Sequence, residues 1–209
     1  MKLTALEVMQ DAPVIPVIVL NDEAHAVPMA KALVAGGIRM LEVTMRTSAA
    51  LACIRAIARE VPGAVVGAGT IRSAQDAEAA IAAGAKFMVS PGYTKAVGHA
   101  CKEMRVALLP GVATSSEIML AQEDGFQQLK FFPAMQAGGP ALLKAWGGPF
   151  TDVQFCPTGG VSLENAPQLL SLSNVVCVGG SWLTPAALMQ QGNWAEITRM
   201  ANEACALPR

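Results

Sequence analysis

The sequence predicts an α/β fold, a (β/α)8 barrel of the TIM type with an additional N-terminal helix, as a single domain over residues 1–209. Three observations predict it. Short β-branched apolar runs bounded by Gly or Pro alternate with Ala-rich stretches of helical spacing. The alternation counts to eight, with strand starts every 20 to 26 residues. No linker, low-complexity segment or composition shift divides the chain. Strict alternation implies parallel pairing, and eight units suit a closed barrel. An open doubly wound sheet is the alternative arrangement.

The elements follow in order. Leu3 to Gln10 reads as a helix that plugs or flanks one end. Strands are expected at Val14 to Leu20, Met40 to Thr44, Ala64 to Gly69, Phe87 to Ser90, Ala107 to Pro110, Gln128 to Phe132, Gln154 to Pro157 and Val175 to Val178. Helices are expected near 23–35, 48–60, 73–83, 94–103, 114–123, 139–146, 162–171 and 184–204, the last broken around Gly192. Ser73 with Asp76 and Glu78, Thr114 with Glu117, and Ser162 with Glu164 are N-terminal cap signals. Gly36-Gly37 and Gly84 sit where helices close on a left-handed residue.

Composition narrows the function classes. Hydrophobic residues make up 53% and charged residues 15%, which implies extensive burial and room for a subunit interface. Net charge is −1 and there is no long Lys/Arg cluster, so nucleic acid is not an expected partner. Val14 to Leu20 is too short and too Pro-broken for a signal or membrane segment, which predicts a soluble, cytoplasmic protein without a membrane partner. The five cysteines are scattered without a Cys-x-x-Cys pair and read as small hydrophobes. Met29, Met88 and Met119 read as core filler. His25 and His99 lie on expected helices as surface or packing residues, and no cluster has metal-ligand spacing.

In a barrel of this kind the chemistry gathers at the carboxyl ends of the strands. The sixth strand carries Lys130 in the apolar run Gln-Gln-Leu-Lys-Phe-Phe-Pro, with Phe132 on the same face. Burial penalises an amine only while it is charged and so favours the neutral nucleophile, while a nearby carboxylate acts in the opposite sense. Such a lysine is a candidate Schiff-base former. The second strand ends in Leu-Glu-Val-Thr-Met-Arg, where Glu42, Thr44 and Arg46 recur at period two and share a face. A buried carboxylate needs a partner or a task, and an arginine fork suits a substrate carboxylate. A structural ion pair is the plainer alternative for these charges.

Val-Gly-Ala-Gly-Thr ends the third strand, with Gly67 and Gly69 marking a close approach and Thr70 offering either a hydroxyl or a helix cap. It is not a dinucleotide fingerprint, because Arg72 takes the third glycine's place. From spacing alone, Pro91 in Ser-Pro-Gly reads as a strand terminator. The seventh and eighth strands end in Cys-Pro-Thr-Gly-Gly and Val-Gly-Gly-Ser, two glycine pairs where this barrel commonly binds phosphate. Expected helix N-termini at Ser162 and near Thr184 would add favourable dipoles.

These parts suit a phosphorylated 2-keto acid. Leu-Glu-Val-Thr-Met-Arg-Thr, Val-Gly-Ala-Gly-Thr, Ser-Pro-Gly, Lys-Phe-Phe-Pro-Ala, Phe-Cys-Pro-Thr-Gly-Gly and Gly-Gly-Ser-Trp, in this order, resemble the 2-keto-3-deoxy-6-phosphogluconate aldolases over about Pro13 to Trp194. The resemblance implies a homotrimeric class I aldolase without metal or other cofactor. It would cleave that substrate to pyruvate and glyceraldehyde 3-phosphate, with 4-hydroxy-2-oxoglutarate as a second substrate. It further implies that Lys130 forms the Schiff base, that Glu42 is the general acid/base, and that Arg46 and Thr70 hold the pyruvyl end. Pro91 would line the pocket and help place a water through its carbonyl. Gly159, Gly160, Gly179, Gly180 and Ser181 would bind phosphate. Thr158 matches the gluconate-type enzymes rather than the galactonate type. A non-covalent phosphate-barrel isomerase or epimerase, and a catalytically silent phosphosugar-binding module, are the readings from other classes.

Overall fold

A computed structural model describes residues 3–208. The first helix, α1 (Ala5–Gln10), starts at a capping box in which Thr4 Oγ1 accepts from the Glu7 N–H and Glu7 returns to the Thr4 N–H. Such a box contributes about 1 kcal/mol. Then come β1 (Val14–Ile18), α2 (Ala26–Ala35), β2 (Met40–Thr44), α3 (Ala50–Glu60), β3 (Val65–Gly69), α4 (Ala74–Ala82), β4 (Phe87–Val89) and α5 (Lys95–Glu103). They are followed by β5 (Ala107–Leu109), β6 (Gly111–Val112), α6 (Ser115–Glu123), β7 (Gln128–Phe131), α7 (Gly139–Trp146), β8 (Gln154–Pro157), α8 (Ala166–Leu170), β9 (Val178–Gly180), α9 (Ala186–Gln190) and α10 (Trp194–Cys205).

All pairings are parallel, in the order β5-β4-β3-β2-β1-β9 and β6-β7-β8. The two ladders meet at both ends. β5 and β6 are halves of the fifth barrel strand, interrupted at Pro110, which has no N–H to give to a ladder. Its carbonyl still accepts from the Lys130 N–H at 2.9 Å. On the other side, single bridges Phe155↔Val175 and Thr158↔Gly179 join β8 to β9. The ring closes as a (β/α)8 barrel.

Three expectations are corrected. The fifth strand runs through Pro110 as two pieces, not as Ala107 to Pro110. The eighth strand is Val178–Gly180, not Val175 to Val178, because regular pairing with β1 begins at Val14↔Val178 and carries Gly179 and Gly180 opposite Ile15 and Pro16. The expected helix over 162–171 is regular only from Ala166; Ser162 and Asn165, rather than Glu164, exchange hydrogen bonds in the turn before it. The break near Gly192 is present, with that residue at φ +65° between α9 and α10. Gly37 and Gly84 adopt positive φ, whereas Gly36 does not; a Cβ there would lie 2.7 Å from the Thr198 carbonyl on α10.

The core has two layers. Between strands and helices lie Leu33, Leu41, Ile54, Val66, Phe131, Phe155, Ile197 and their neighbours. Inside the barrel, Ile15, Met40, Phe87, Val89, Leu109, Cys156 and Cys177 pack on Val8 and Met9 of α1. The first helix therefore plugs the barrel, and full burial of Val8 and Met9 stabilises by about 1.5–3 kcal/mol each. Met29 and Met88 are fully buried, but Met119 is 57% exposed because α6 buries the adjacent Ile118 and Ala121 instead. Among the described residues no helix is long and apolar enough to cross a membrane.

Candidate functional site

Above the apolar plug the inward positions turn polar. Lys130 and Glu42 are 6% and 3% exposed, and Lys130 Nζ lies 3.4 Å from Glu42 Oε1. Their strands are not adjacent, so the two side chains meet across the barrel interior rather than along a ladder. Phe132, at the mouth and 36% exposed, holds its ring centroid 5.3 Å from the same Nζ, a cation–π contact.

A cavity of about 160 Å³ opens on this pair, lined by Val17, Glu42, Thr44, Arg46, Thr70, Pro91, Lys130, Phe132 and Thr158. A second compartment of about 200 Å³ shares Val17, Arg46, Phe132 and Thr158 with it and continues to Gly159, Gly160, Val161, Gly179 and Ser181. One compartment thus holds the amine and carboxylate, the next is walled by glycine backbone. The larger cavity beside them, about 400 Å³ between Asp22, His25 and Met189, contains neither Lys130 nor Glu42.

Glycines act as moulds around these side chains. A Cβ on Gly69 would lie 2.7 Å from Glu42 Cγ and 2.8 Å from its Cδ, so β3 admits Glu42 only because Gly69 has none. Gly67 faces the Phe87 ring at 2.5 Å in the same way. A Cβ on Gly111 would collide with the Pro91 carbonyl and lie 2.7 Å from the Gly92 nitrogen, which brings β6 against the Ser-Pro-Gly turn and sets Pro91 into the cavity wall. Thr158 stands over Gly179, whose added Cβ would come within 2.9 Å of Thr158 Cγ2.

Thr70 adopts φ +63°, an outlier for a β-branched residue, while Ser73 is the cap of α4. The strained residue thus faces the cavity and does not start the helix, and strain of this sort is held at functional sites by the surrounding structure. Arg46 contacts Thr44 rather than Glu42: its Nε donates to Thr44 Oγ1 at 3.1 Å, and no ion pair to Arg46 is present among the described residues.

The sequence-predicted site residues converge with one exception. Gly159 and Gly160, at φ +100° and +72°, line the second compartment together with Gly179 and Ser181. Gly180 lies in β9 with its missing Cβ directed at the Trp182 ring, 2.5 Å from Cε3, and does not line either compartment. The helix after β8 begins at Ala166, a turn later than Ser162, and the one after β9 begins at Ala186, two residues after Thr184. Val17 and Val161 line the site without any signal in sequence, being apolar residues of apolar runs. Gly111 lies just past the end of the expected fifth strand at Pro110. His25 packs against the Trp194 ring, His99 pairs with Asp124 at 3.1 Å, and no group of described residues could hold a metal ion.

The sequence profile of the family described as "Aldolase: KDPG and KHG aldolase", the 2-keto-3-deoxy-6-phosphogluconate and 4-hydroxy-2-oxoglutarate aldolases, matches residues 6–200. The chain belongs to this family. It is 50% identical over 205 residues to the 2-dehydro-3-deoxy-phosphogluconate aldolase of Dickeya dadantii, covering 98% of this chain and 96% of that one. It is 50% identical over 203 residues to the KHG/KDPG aldolase of Escherichia coli K12, covering 97% and 95%. Among solved structures, the KDPG aldolase of Legionella pneumophila, with pyruvate captured at low pH as a covalent carbinolamine, superposes with a TM-score of 0.95 at 41% identity, covering 98% of this chain and 99% of that one. The KDPG aldolase of Zymomonas mobilis with 3-phosphoglycerate gives 0.94 at 47%, covering 98% and 96%. Family membership, the barrel and the Lys130–Glu42 contact therefore rest on separate observations.

Proposed function

We propose that the chain is a class I, Schiff-base aldolase that cleaves 2-keto-3-deoxy-6-phosphogluconate to pyruvate and glyceraldehyde 3-phosphate. The observation that carries this reading is the buried contact of Lys130 Nζ with Glu42 Oε1 at the floor of a cavity that continues into a glycine-walled compartment. A buried ion pair contributes little to stability that apolar residues would not supply, so its retention inside the barrel argues for chemistry. The carbinolamine captured in the Legionella relative supports the same reading.

Neutral Lys130 adds to the C2 keto carbon, and Glu42 shuttles protons, with a water as relay, while the carbinolamine loses water. The resulting iminium is an electron sink. Glu42 takes the proton of the C4 hydroxyl, the C3–C4 bond breaks, its electron pair passes into the enamine, and the aldehyde departs. The enamine regains a proton at C3, and water hydrolyses the iminium to pyruvate and free Lys130. Arg46 and Thr70 hold the carboxylate end, Phe132 and Thr158 wall the chain between, and the Pro91 carbonyl orients the water. The backbone of Gly159, Gly160 and Gly179 with Ser181 receives the phosphate, where amides unobstructed by Cβ atoms can converge on an anion. Gly180, which lines neither compartment, is left out of this group.

The similarity to the KHG/KDPG aldolase of Escherichia coli supports a second substrate, 4-hydroxy-2-oxoglutarate, which would be cleaved to pyruvate and glyoxylate by the same steps. A homotrimer and a cytoplasmic location complete the reading; sedimentation of the purified protein tests the first. The decisive test is chemical. Pyruvate with borohydride should add a stable reduced adduct to the peptide containing Lys130, and an adduct on Lys86 or Lys144, or none, would overturn the assignment.

A further inference from the structure

Arg46 carries a guanidinium at the boundary of both compartments, on the turn that follows β2, a place where a long side chain has many rotamers. One residue limits them. Thr44 is 2% exposed, and its Oγ1 donates to the Ile18 carbonyl of β1 at 2.8 Å. A hydroxyl has one proton. With that proton committed to Ile18, the lone pairs of Oγ1 are left to face Arg46 Nε, which donates to them at 3.1 Å. The polarity of the chain Arg46–Thr44–Ile18 is thereby fixed from the backbone outward. A second hydroxyl, Thr47 Oγ1, reaches the Leu20 carbonyl at 2.5 Å, so the turn bearing Arg46 is tied to the end of β1 on both sides.

We propose that Thr44 is a positioning residue for the carboxylate end of the substrate: it occupies Nε of Arg46 and presents the remaining guanidinium nitrogens, as a fork, to a 2-keto carboxylate. Two nearly parallel N–H donors match a carboxylate only when the plane of the guanidinium is set. Holding Nε from behind sets that plane before substrate arrives and removes rotamer freedom that binding would otherwise have to freeze. The substitution that isolates this effect is Thr44→Val, which keeps the shape and deletes the hydroxyl. The inference rests on the reading of Arg46 as the carboxylate anchor.

The test is a double-mutant cycle on wild type, T44V, R46Q and T44V/R46Q, with T44S as the conservative variant. The readout is the pyruvate KM in enzyme-catalysed exchange of the pyruvate methyl protons with deuterium oxide, which needs only imine and enamine. T44V should raise the pyruvate KM about tenfold while kcat for exchange changes less than about threefold. T44S should stay within about twofold of wild type, and T44V/R46Q should be no worse than R46Q alone. If the two substitutions multiply, or if T44S is as impaired as T44V, Thr44 acts through the fold and the proposal fails while the anchor reading stands. If R46Q itself leaves the pyruvate KM unchanged, the anchor reading fails and this inference with it. Should T44V not fold, T44S and T44A bracket the hydroxyl in the same assay, and equal KM values for those two would overturn the proposal.

Discussion

Gly69→Ala adds one methyl group at a place where the backbone permits it, since Gly69 is not among the residues at positive φ. The new carbon would lie 2.7 Å from Glu42 Cγ and 2.8 Å from Cδ. Carbon atoms in contact prefer about 3.5–4.0 Å, so the Glu42 side chain must retreat by roughly 1 Å. Among the described residues its hydrogen-bond partner is Lys130 Nζ, at 3.4 Å, and a retreat of that size opens the contact. Displacing a reacting group by about 1 Å can cost 10²-fold in rate, or about 2.7 kcal/mol in the barrier. Overpacking a core in this way also costs about 1–3 kcal/mol of stability, so activity and stability must be measured on the same samples.

Gly67→Ala is the matched control. It overpacks the same strand, but the atoms nearest the added carbon are those of the Phe87 ring, at 2.5 Å, rather than those of Glu42. In a lactate-dehydrogenase-coupled assay of pyruvate release, G69A should lose about 10²-fold in kcat, whereas G67A should keep its kcat within about fivefold despite a comparable fall in Tm. Wild-type kcat in G69A, or equal losses in both variants, would refute the idea that β3 is glycine-bearing for the sake of the carboxylate.

Three further outcomes are expected. Ser181→Asp, in the glycine-walled compartment, should raise KM for the phosphorylated substrate at least tenfold and leave 4-hydroxy-2-oxoglutarate cleavage within twofold, in the same coupled assay. The Tyr93 hydroxyl, first among its partners, and His99 hold the Asp124 carboxyl below the usual carboxylate range. That contribution is fully present above the unfolded Asp value of about 3.9 and is lost as pH falls through the lowered folded value. Tyr93→Phe should therefore move the acid-unfolding midpoint, followed by circular dichroism, to higher pH. Burial raises the Cys101 thiol to about 11, and burial followed by the nearby Glu23 and Asp22 raises Cys53 to about 11. Neither should react with a thiol reagent at pH 8 in the native protein, and both should react at once in denaturant.

Much of the barrel is legible because its rules are local. Caps at Ser73 and Thr114, helix-closing Gly37 and Gly84, and apolar runs of strand length each act within a few residues. Lys130, Glu42 and Arg46 are legible for a related reason: a charge inside an apolar strand needs explaining wherever the fold puts it. What escaped depends on contacts between segments distant in sequence. Val-Val-Cys-Val is the better strand by composition, yet Gly179 and Gly180 enter the regular ladder because β1 sets the register. Pro91 looks like punctuation until Gly111 is seen beneath its carbonyl. Thr44 shares a face with Glu42 in any reading, but the direction of its hydrogen bonds is fixed only by the Ile18 carbonyl of a neighbouring strand.

The barrel divides its labour by height. Its lower half is a dry plug in which Val8 and Met9 of α1 meet Ile15, Met40, Phe87, Val89 and Leu109. The upper half seats an amine, a carboxylate and a strained threonine, none of which helps the fold in proportion to its burial. Glycine within a strand weakens it by roughly 0.5–1 kcal/mol relative to alanine, and the upper half uses it at 69, 111 and 179. At each of these, the place where a Cβ would stand is filled by Glu42, Pro91 or Thr158. The glycines are therefore the negative image of the site, and the apolar plug offsets what they and the buried pair take away. Truncations in the plug should consequently lower stability while leaving the Lys130–Glu42 contact intact, since none of the plug residues lines that cavity.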